Sequence, residues 1–315
     1  MIGQRIKEIR HNNNLTQEEL AQGIISRTYL SLIEKGNVQP STNVLIKLSE
    51  RLNCTVDDFL NDISNFEHHD VEILKELSYQ EYQLKEGNYK VVGHFIEKNV
   101  LSVQHLPPED CGRIHAIYGH YFNAIGKKVD AMKHLTEAIG LLSTVPIHQN
   151  YIDVTLLKIE LDIIEENFEA ALDTLDSIFK ELIKFDWNTA DLIRVYFNYS
   201  LTYFNLNQHF TAYRYYTKFE SLQQQLDFTY KQDESRTLVY KILYKLNDTE
   251  MLRQRSQHDE RTTGRLFTAY YYFARGNIRR SKELFEGLPK EDEDIYSDKL
   301  MKEIFDFLNE RLLMI

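Results

Sequence analysis

Three features of the 315-residue sequence predict an all-α protein. Glycine (12) and proline (5) are scarce while Leu, Glu, Lys and Gln abound, a balance that favours helices over strands. The first 62 residues carry Ser or Thr helix caps at short intervals, which predicts a compact cluster of five short helices. The remainder repeats itself about every 40 residues, which predicts a long array of helical hairpins.

Composition narrows the class further. Hydrophobic residues at 43% and charged residues at 27% fit a soluble globular chain. No apolar run approaches the roughly 18 to 20 residues that span a bilayer, and "MIGQRIKEIRHNNN" is too polar for a secretory core, so a cytoplasmic protein with no membrane partner is expected. Cys54 and Cys111 lack CxxC spacing and are expected to fill structural positions. The formal net charge is -11, yet residues 1–51 hold seven Lys/Arg against five Asp/Glu, a balance of +2 that leaves -13 for the rest. Only the amino end suits a polyanionic partner.

Within that end, Ile6, Ile9 and Leu15 flank "RHNNN", which predicts a helix over residues 3–12 ending in an asparagine turn. Thr16 opens a second helix as a capping box with Glu19, and Leu20, Ala21 and Ile24 form its buried face. Ser26 caps a third, with Tyr29, Leu30 and Ile33 turned inward and Arg27, Thr28, Ser31 and Lys35 outward; Gly36 ends it. Ser41 and Thr55 cap the fourth and fifth helices.

"LTQEELAQGI", "SRTYLSLIEKG" and "PSTNVLIKLSERLN" stand in the order and spacing of the phage-repressor (XRE) helix-turn-helix domain, and residues 1–62 resemble it. The resemblance implies double-stranded DNA as partner, read by the exposed face of the third helix in the major groove. Arg27, Thr28 and Ser31 are then the base-edge residues, with Arg27 suited to guanine O6 and N7, and Gln17 and Lys35 meet the phosphate backbone. Arg10 and Glu34 resemble the family's internal ion pair, a structural role.

In the body, "EGNYKVV", "GKKVDA", "ENFEAA", "NQHFTA", "LNDTEML" and "RGNIRRS" align on the small or apolar residues Val92, Ala131, Ala171, Ala212, Leu252 and Ser281, separated by 39, 40, 41, 40 and 29. Four residues further lie Ile96, Leu135, Leu175, Tyr216 and Phe285, one helical turn along the same face. "YGHYFNAIGKKVDAMKHLTEAI" resembles a tetratricopeptide (TPR) repeat, with Gly119, Phe122, Gly126, Ala131 and Ala138 in the family's places. The expected fold class is therefore a five-helix repressor-like domain (1–62), a linker (63–70) and a superhelical array of TPR-like hairpins (71–315) with a terminal capping helix in "EDEDIYSDKLMKEIFDFLNERLL".

This architecture resembles the peptide-responsive helix-turn-helix/TPR transcription regulators of Gram-positive bacteria, the Rap/NprR/PlcR/PrgX group. The resemblance implies a short signalling peptide in the concave groove of the repeats, a homodimer, and a pseudo-palindromic operator. Twenty tyrosines cluster in segments such as "RVYFNYSLTYF" and "TAYYYFA", offering large contact areas with few torsions to freeze. Asn198 resembles the asparagine that holds peptide backbone, and Asn123 in "YFNAIG" is expected to take a similar place; Tyr203 and Tyr271 complete the peptide-binding set. Inter-repeat core is the commoner fate of such aromatics.

Enzymatic readings fare poorly. "EHHD" at 67–70 and the pair His115 and His120 lack the spacing of a metal site, and no phosphate loop, nucleophile elbow or Cys/His signature occurs, so neither metal, cofactor nor enzymatic activity is expected. A second reading is a TPR scaffold acting on a partner protein such as a response regulator, with DNA binding kept for autoregulation.

Overall fold

Side-chain caps lay out the amino-terminal module. The computed structural model describes residues 2–60, 68–99, 106–143, 149–184, 188–289 and 292–313, and every regular element among them is helical. Helix α1 (Ile2–Asn12) turns at Asn14, which takes the left-handed backbone at φ 55°. Helix α2 (Gln17–Ala21) begins at the Thr16–Glu19 box: the Glu19 N–H donates to Thr16 Oγ1 at 3.2 Å and the Thr16 N–H to Glu19 Oε2 at 2.7 Å. Ser26 Oγ accepts from the Tyr29 N–H at 3.1 Å and starts α3 (Arg27–Glu34). Gly36, at φ 73°, stops it, with its N–H on Ile33 O and the Asn37 N–H on Leu32 O. Ser41 caps α4 (Thr42–Leu52), and a Thr55–Asp58 box starts α5 (Asp57–Leu60). Ile6, Leu20, Leu30, Ile33, Leu48 and Phe59 close over one core.

The repeats follow a different local rule. The helices are α6 (His68–Lys85), α7 (Tyr89–Asn99), α8 (Pro108–Ala124), α9 (Lys128–Leu142), α10 (Gln149–Ile164), α11 (Phe168–Lys184), α12 (Thr189–Asn205), α13 (His209–Leu226), α14 (Gln232–Lys245), α15 (Thr249–Ser256), α16 (Thr262–Ala274) and α17 (Ile278–Glu286). Within each unit an even-numbered helix meets the next odd one at a tight corner made by a single left-handed residue, Gly87, Gly126, Asn207, Asn247 or Gly276, and Glu166 takes the same backbone conformation ahead of α11. In every case it stands five residues before the aligned residue, Val92, Ala131, Ala171, Ala212, Leu252 or Ser281, and all six of these are fully buried. Gly119, twelve residues before Ala131, makes close approach possible, since a Cβ there would lie 2.6 Å from Leu135 Cδ2. The final spacing shrinks to 29 because α15 has 8 residues and α16 has 13. The terminal segment forms two helices instead of one, α18 (Glu293–Ser297) and α19 (Lys299–Leu313), because Asp298 between them caps the second through the Met301 N–H at 3.0 Å.

The chain packs as two compact units, residues 1–165 and 166–315. In the first, the module shares its unit with α6 to α10, and residues 63–67 of the expected linker lie outside the described residues. Asp110 and Glu109, in the first turn of α8, explain this. The Thr42 N–H donates to both Asp110 oxygens at 3.4 and 3.3 Å, the Thr42 hydroxyl to Oδ2 at 3.1 Å, and the Tyr29 hydroxyl to Glu109 Oε2 at 3.4 Å. Burial drives the Asp110 carboxyl above its ordinary pKa, partly offset by Arg113, which reaches back from one turn away at 3.3 Å and also grips Glu81 at 2.8 and 2.9 Å. In the second unit, α12 to α19 enclose a core that includes Phe197, Phe219, Tyr240, Phe267 and Leu308.

Candidate functional site

The surface of α3 divides sharply. Tyr29, Leu30, Ile33 and Glu34 face inward, while Arg27, Thr28 and Lys35 are exposed and Ser31 is half-buried. Arg10 fixes the inner side, donating from Nε to Glu34 Oε1 at 2.6 Å and from Nη2 to Oε2 at 3.0 Å. Burial pushes the Glu34 carboxyl up, but hydrogen bonds from Arg10 and Gln17 outweigh it and hold the group below the ordinary glutamate value. Arg51 donates to the carbonyls of Glu19, Leu20 and Gln22, pinning the corner between α2 and α3. Arg5, Arg10 and Arg51 are thus all engaged within the module. Arg27 makes no ion pair or hydrogen bond among the described residues.

In the second unit a cavity of about 640 Å³ opens between α12, α14, α16 and the α18–α19 junction. Its apolar floor is Phe197, Leu201 and Phe204 on α12, joined by Leu238 and Met301; Thr237 and Lys241 rise from α14. A smaller cavity of about 300 Å³ continues past Lys241 and Asp298 to Asn207, His209, Lys245, Lys299 and Glu303. Lys241 is ion-paired with Asp298, and Arg261 with Asp233 and Asp259, each at 2.7 Å. Lys231 lies over the rings of Phe197 and Tyr230 at 5.7 and 5.6 Å.

The helix-turn-helix family HTH_3 matches residues 6–59. An uncharacterized HTH-type transcriptional regulator of Archaeoglobus fulgidus is 38% identical over 55 residues, which cover 17% of this chain and 78% of that protein. The chain belongs to the helix-turn-helix transcriptional regulators. Among solved structures, Bacillus thuringiensis PlcR in complex with the peptide PapR7 and DNA is similar with a TM-score of 0.46, at 16% identity over 90% of this chain and 98% of that one. Streptococcus thermophilus ComR in complex with DNA and its signalling peptide ComS gives 0.33, at 15% identity over 78% and 99%.

On this regulator, the residues expected at the DNA lie together on one side of the module, except that Gln17 is half-buried and spends its amide on Glu34 Oε2 at 2.7 Å. The residues expected at a peptide separate. Asn198 is fully buried and does not line the cavity; its Nδ2 donates to Arg194 O at 3.0 Å, and its Oδ1 has no partner among the described residues. Tyr203 stacks on Tyr215 at 5.4 Å, and Tyr271 packs beside Arg253 and Arg275; neither lines the cavity. Asn123 is not the counterpart of Asn198: it stands eight residues before its corner residue Ala131, whereas Asn198 stands fourteen before Ala212. The residue in α12 that matches Asn123 is Phe204. His115 meets His134 rather than His120, with Nδ1 atoms 2.9 Å apart, and burial followed by the His115 neighbour lowers His134 to about 4. Among the described residues no helix is long and apolar enough to cross a membrane.

The lining that sequence reasoning missed has a register of its own. Phe197 and Thr237 stand fifteen residues before Ala212 and Leu252, Leu201 and Lys241 eleven before, and Asn205 and Lys245 seven before. Counting back from the corners would have found them. Tyrosine abundance pointed instead to the neighbouring face, where Tyr199, Tyr203 and Tyr215 stack and the Tyr199 hydroxyl donates to Asp176.

Proposed function

We propose that this transcription regulator is a cytoplasmic protein that binds a pseudo-palindromic operator as a homodimer and is controlled by a short peptide held in the groove of its TPR-like repeats. The observation that carries the DNA half is the guanidinium of Arg27, exposed on α3 and without a partner among the described residues, while the module's other arginines are tied down. Thr28 and Ser31 flank it for base edges, and Lys35 with Gln17 serves the phosphate backbone. Two-fold pairing gives such a small reader two half-sites and so enough sequence information.

The peptide half is supported by the cavity beside α12. Its floor is apolar and its walls are polar, the combination that suits a chain with alternating side chains and backbone amides. Asn198, on the helix that supplies that floor, carries a buried Oδ1 with no partner among the described residues, an acceptor for a ligand N–H that reaches it. Leaving such an acceptor unmet costs about 1–3 kcal/mol, so a peptide donor there gains affinity. Control requires the peptide to favour one arrangement of the readers; a tenfold preference is about 1.4 kcal/mol.

The test is binding of purified protein to DNA flanking its own gene across a salt series, with and without a concentrated peptide fraction of the producing culture. A peptide-dependent change in specific affinity that Asn198→Ala removes is the expected result. Specific DNA binding with no peptide response points to the groove serving a partner protein, and salt-sensitive nonspecific binding alone overturns the DNA half.

A further inference from the structure

The cations around the groove are not equivalent. Arg261 and Lys241 each hold carboxylates, and Lys231 lies over two aromatic rings. Lys245 and Lys299, which face the smaller cavity from the end of α14 and the start of α19, have no ion pair or hydrogen-bond partner for their ammonium groups among the described residues. Two carboxylates share that cavity. Asp298 is already committed to Lys241 and to capping α19, which leaves Glu303 alone against both lysines. His209 registers the resulting field: burial lowers its pKa first and the Lys245 charge lowers it further, and its Nδ1 is buried without a partner among the described residues.

The groove also has a length. Its α14 wall runs from Asp233 and Glu234 through Thr237 and Lys241 to Lys245, nearly the whole of the 14-residue helix. At 1.5 Å per residue that is about 20 Å. An extended chain at about 3.3 Å per residue covers it with roughly six residues.

We propose that the Lys245–Lys299–His209 end of the groove is a carboxylate subsite, so that the ligand is a peptide of roughly six residues whose anionic end lies there. The assignment rests on the peptide reading above and adds polarity and length to it. The carboxylate comes from either a free C-terminus or an acidic side chain near it. In both cases, losing charge-assisted hydrogen bonds from the lysines weakens binding roughly tenfold or more.

The experiment is titration of the full-length protein with three synthetic hexapeptide mixtures: free C-terminal acids without Asp or Glu, the same mixture amidated, and an amidated mixture with Asp or Glu at the last two positions. The unliganded melting temperature of the Lys245→Gln, Lys299→Gln double variant establishes that it folds. The free-acid mixture binding at least tenfold more tightly than the acid-free amide, with that margin lost in the variant, supports a C-terminal carboxylate. The same margin for the third mixture supports an acidic side chain. Equal binding of all three, unchanged by the variant, overturns the subsite and leaves the peptide reading standing. No binding of any mixture removes both.

Discussion

The reader and the repeats specify their helices by different means. In residues 2–60 four helices begin at Ser or Thr side chains that accept a backbone N–H, and Arg10 and Arg51 add side-chain ties between helices. In the repeats the recurring device is a single left-handed backbone residue at each corner followed five residues later by a buried side chain. Both regions end helices on left-handed residues, among them Asn14 and Gly36 in the first. Only in the repeats does that residue recur at a fixed five-residue step before a buried side chain, whereas Ser or Thr caps start most helices of the first. The small reader has one compact apolar core, and the polar ties fix how its short helices enter it.

The strongest way to break the contrast is Arg10→Ala. It strands the Glu34 carboxylate in the interior, and removing one partner of a buried pair costs about 3–5 kcal/mol. Hydrogen exchange is expected to show lost protection in α1 and α3 while α12 to α14 keep theirs. The pH dependence has a definite sign. Because the folded Glu34 pKa lies below the ordinary value of 4.5, its stabilisation is full above that value and is lost as pH falls through the lower folded pKa. Acid titration followed by the same exchange experiment is expected to release the reader's helices in wild type and to show no Glu34-linked step in Glu34→Gln.

In the repeats, Gly119→Ala places a methyl 2.6 Å from Leu135 and is expected to cost about 1–3 kcal/mol by overpacking, read from denaturant unfolding. Gly126→Ala meets no atom within 4 Å, so its cost is conformational alone, about 1–2 kcal/mol at φ 78°. Thr16→Ala, which removes one cap of the reader, is expected to cost about 1 kcal/mol. The smallest effect has the opposite sign. Glu166 holds the left-handed corner that glycine or asparagine holds elsewhere, and Glu166→Gly is expected to raise stability by about 0.5–1 kcal/mol.

This difference also governs what the sequence disclosed. Caps are local: Thr16 and Glu19, or Ser41 and Val44, stand three residues apart, so the reader's helix starts were legible. The corners were legible because they recur. Tertiary choices were not. The Thr42–Asp110 bonds join residues 68 positions apart and leave no periodic trace. Asn198 and Phe197 are adjacent in sequence but point about 100° apart on α12, which separates the buried carboxamide from the cavity floor. Tyr203 shows the same limit, since stacking on Tyr215 and lining a groove ask for the same residue type. On α3 the outward register was readable, but the diversion of Gln17 to Glu34 was not, because it depends on where α1 places Arg10.

The constancy of the corner carries a rule for length variation. Successive repeats differ by a residue or more in span, yet the step from the left-handed residue to the buried one is five in all six. Removing one residue inside that step turns the following helix by about 100° and brings a solvent face to the interior. Length changes in the joints between hairpins leave that phase intact. Insertions and deletions that preserve folding are therefore confined to those joints, and the groove register counted from each corner survives them.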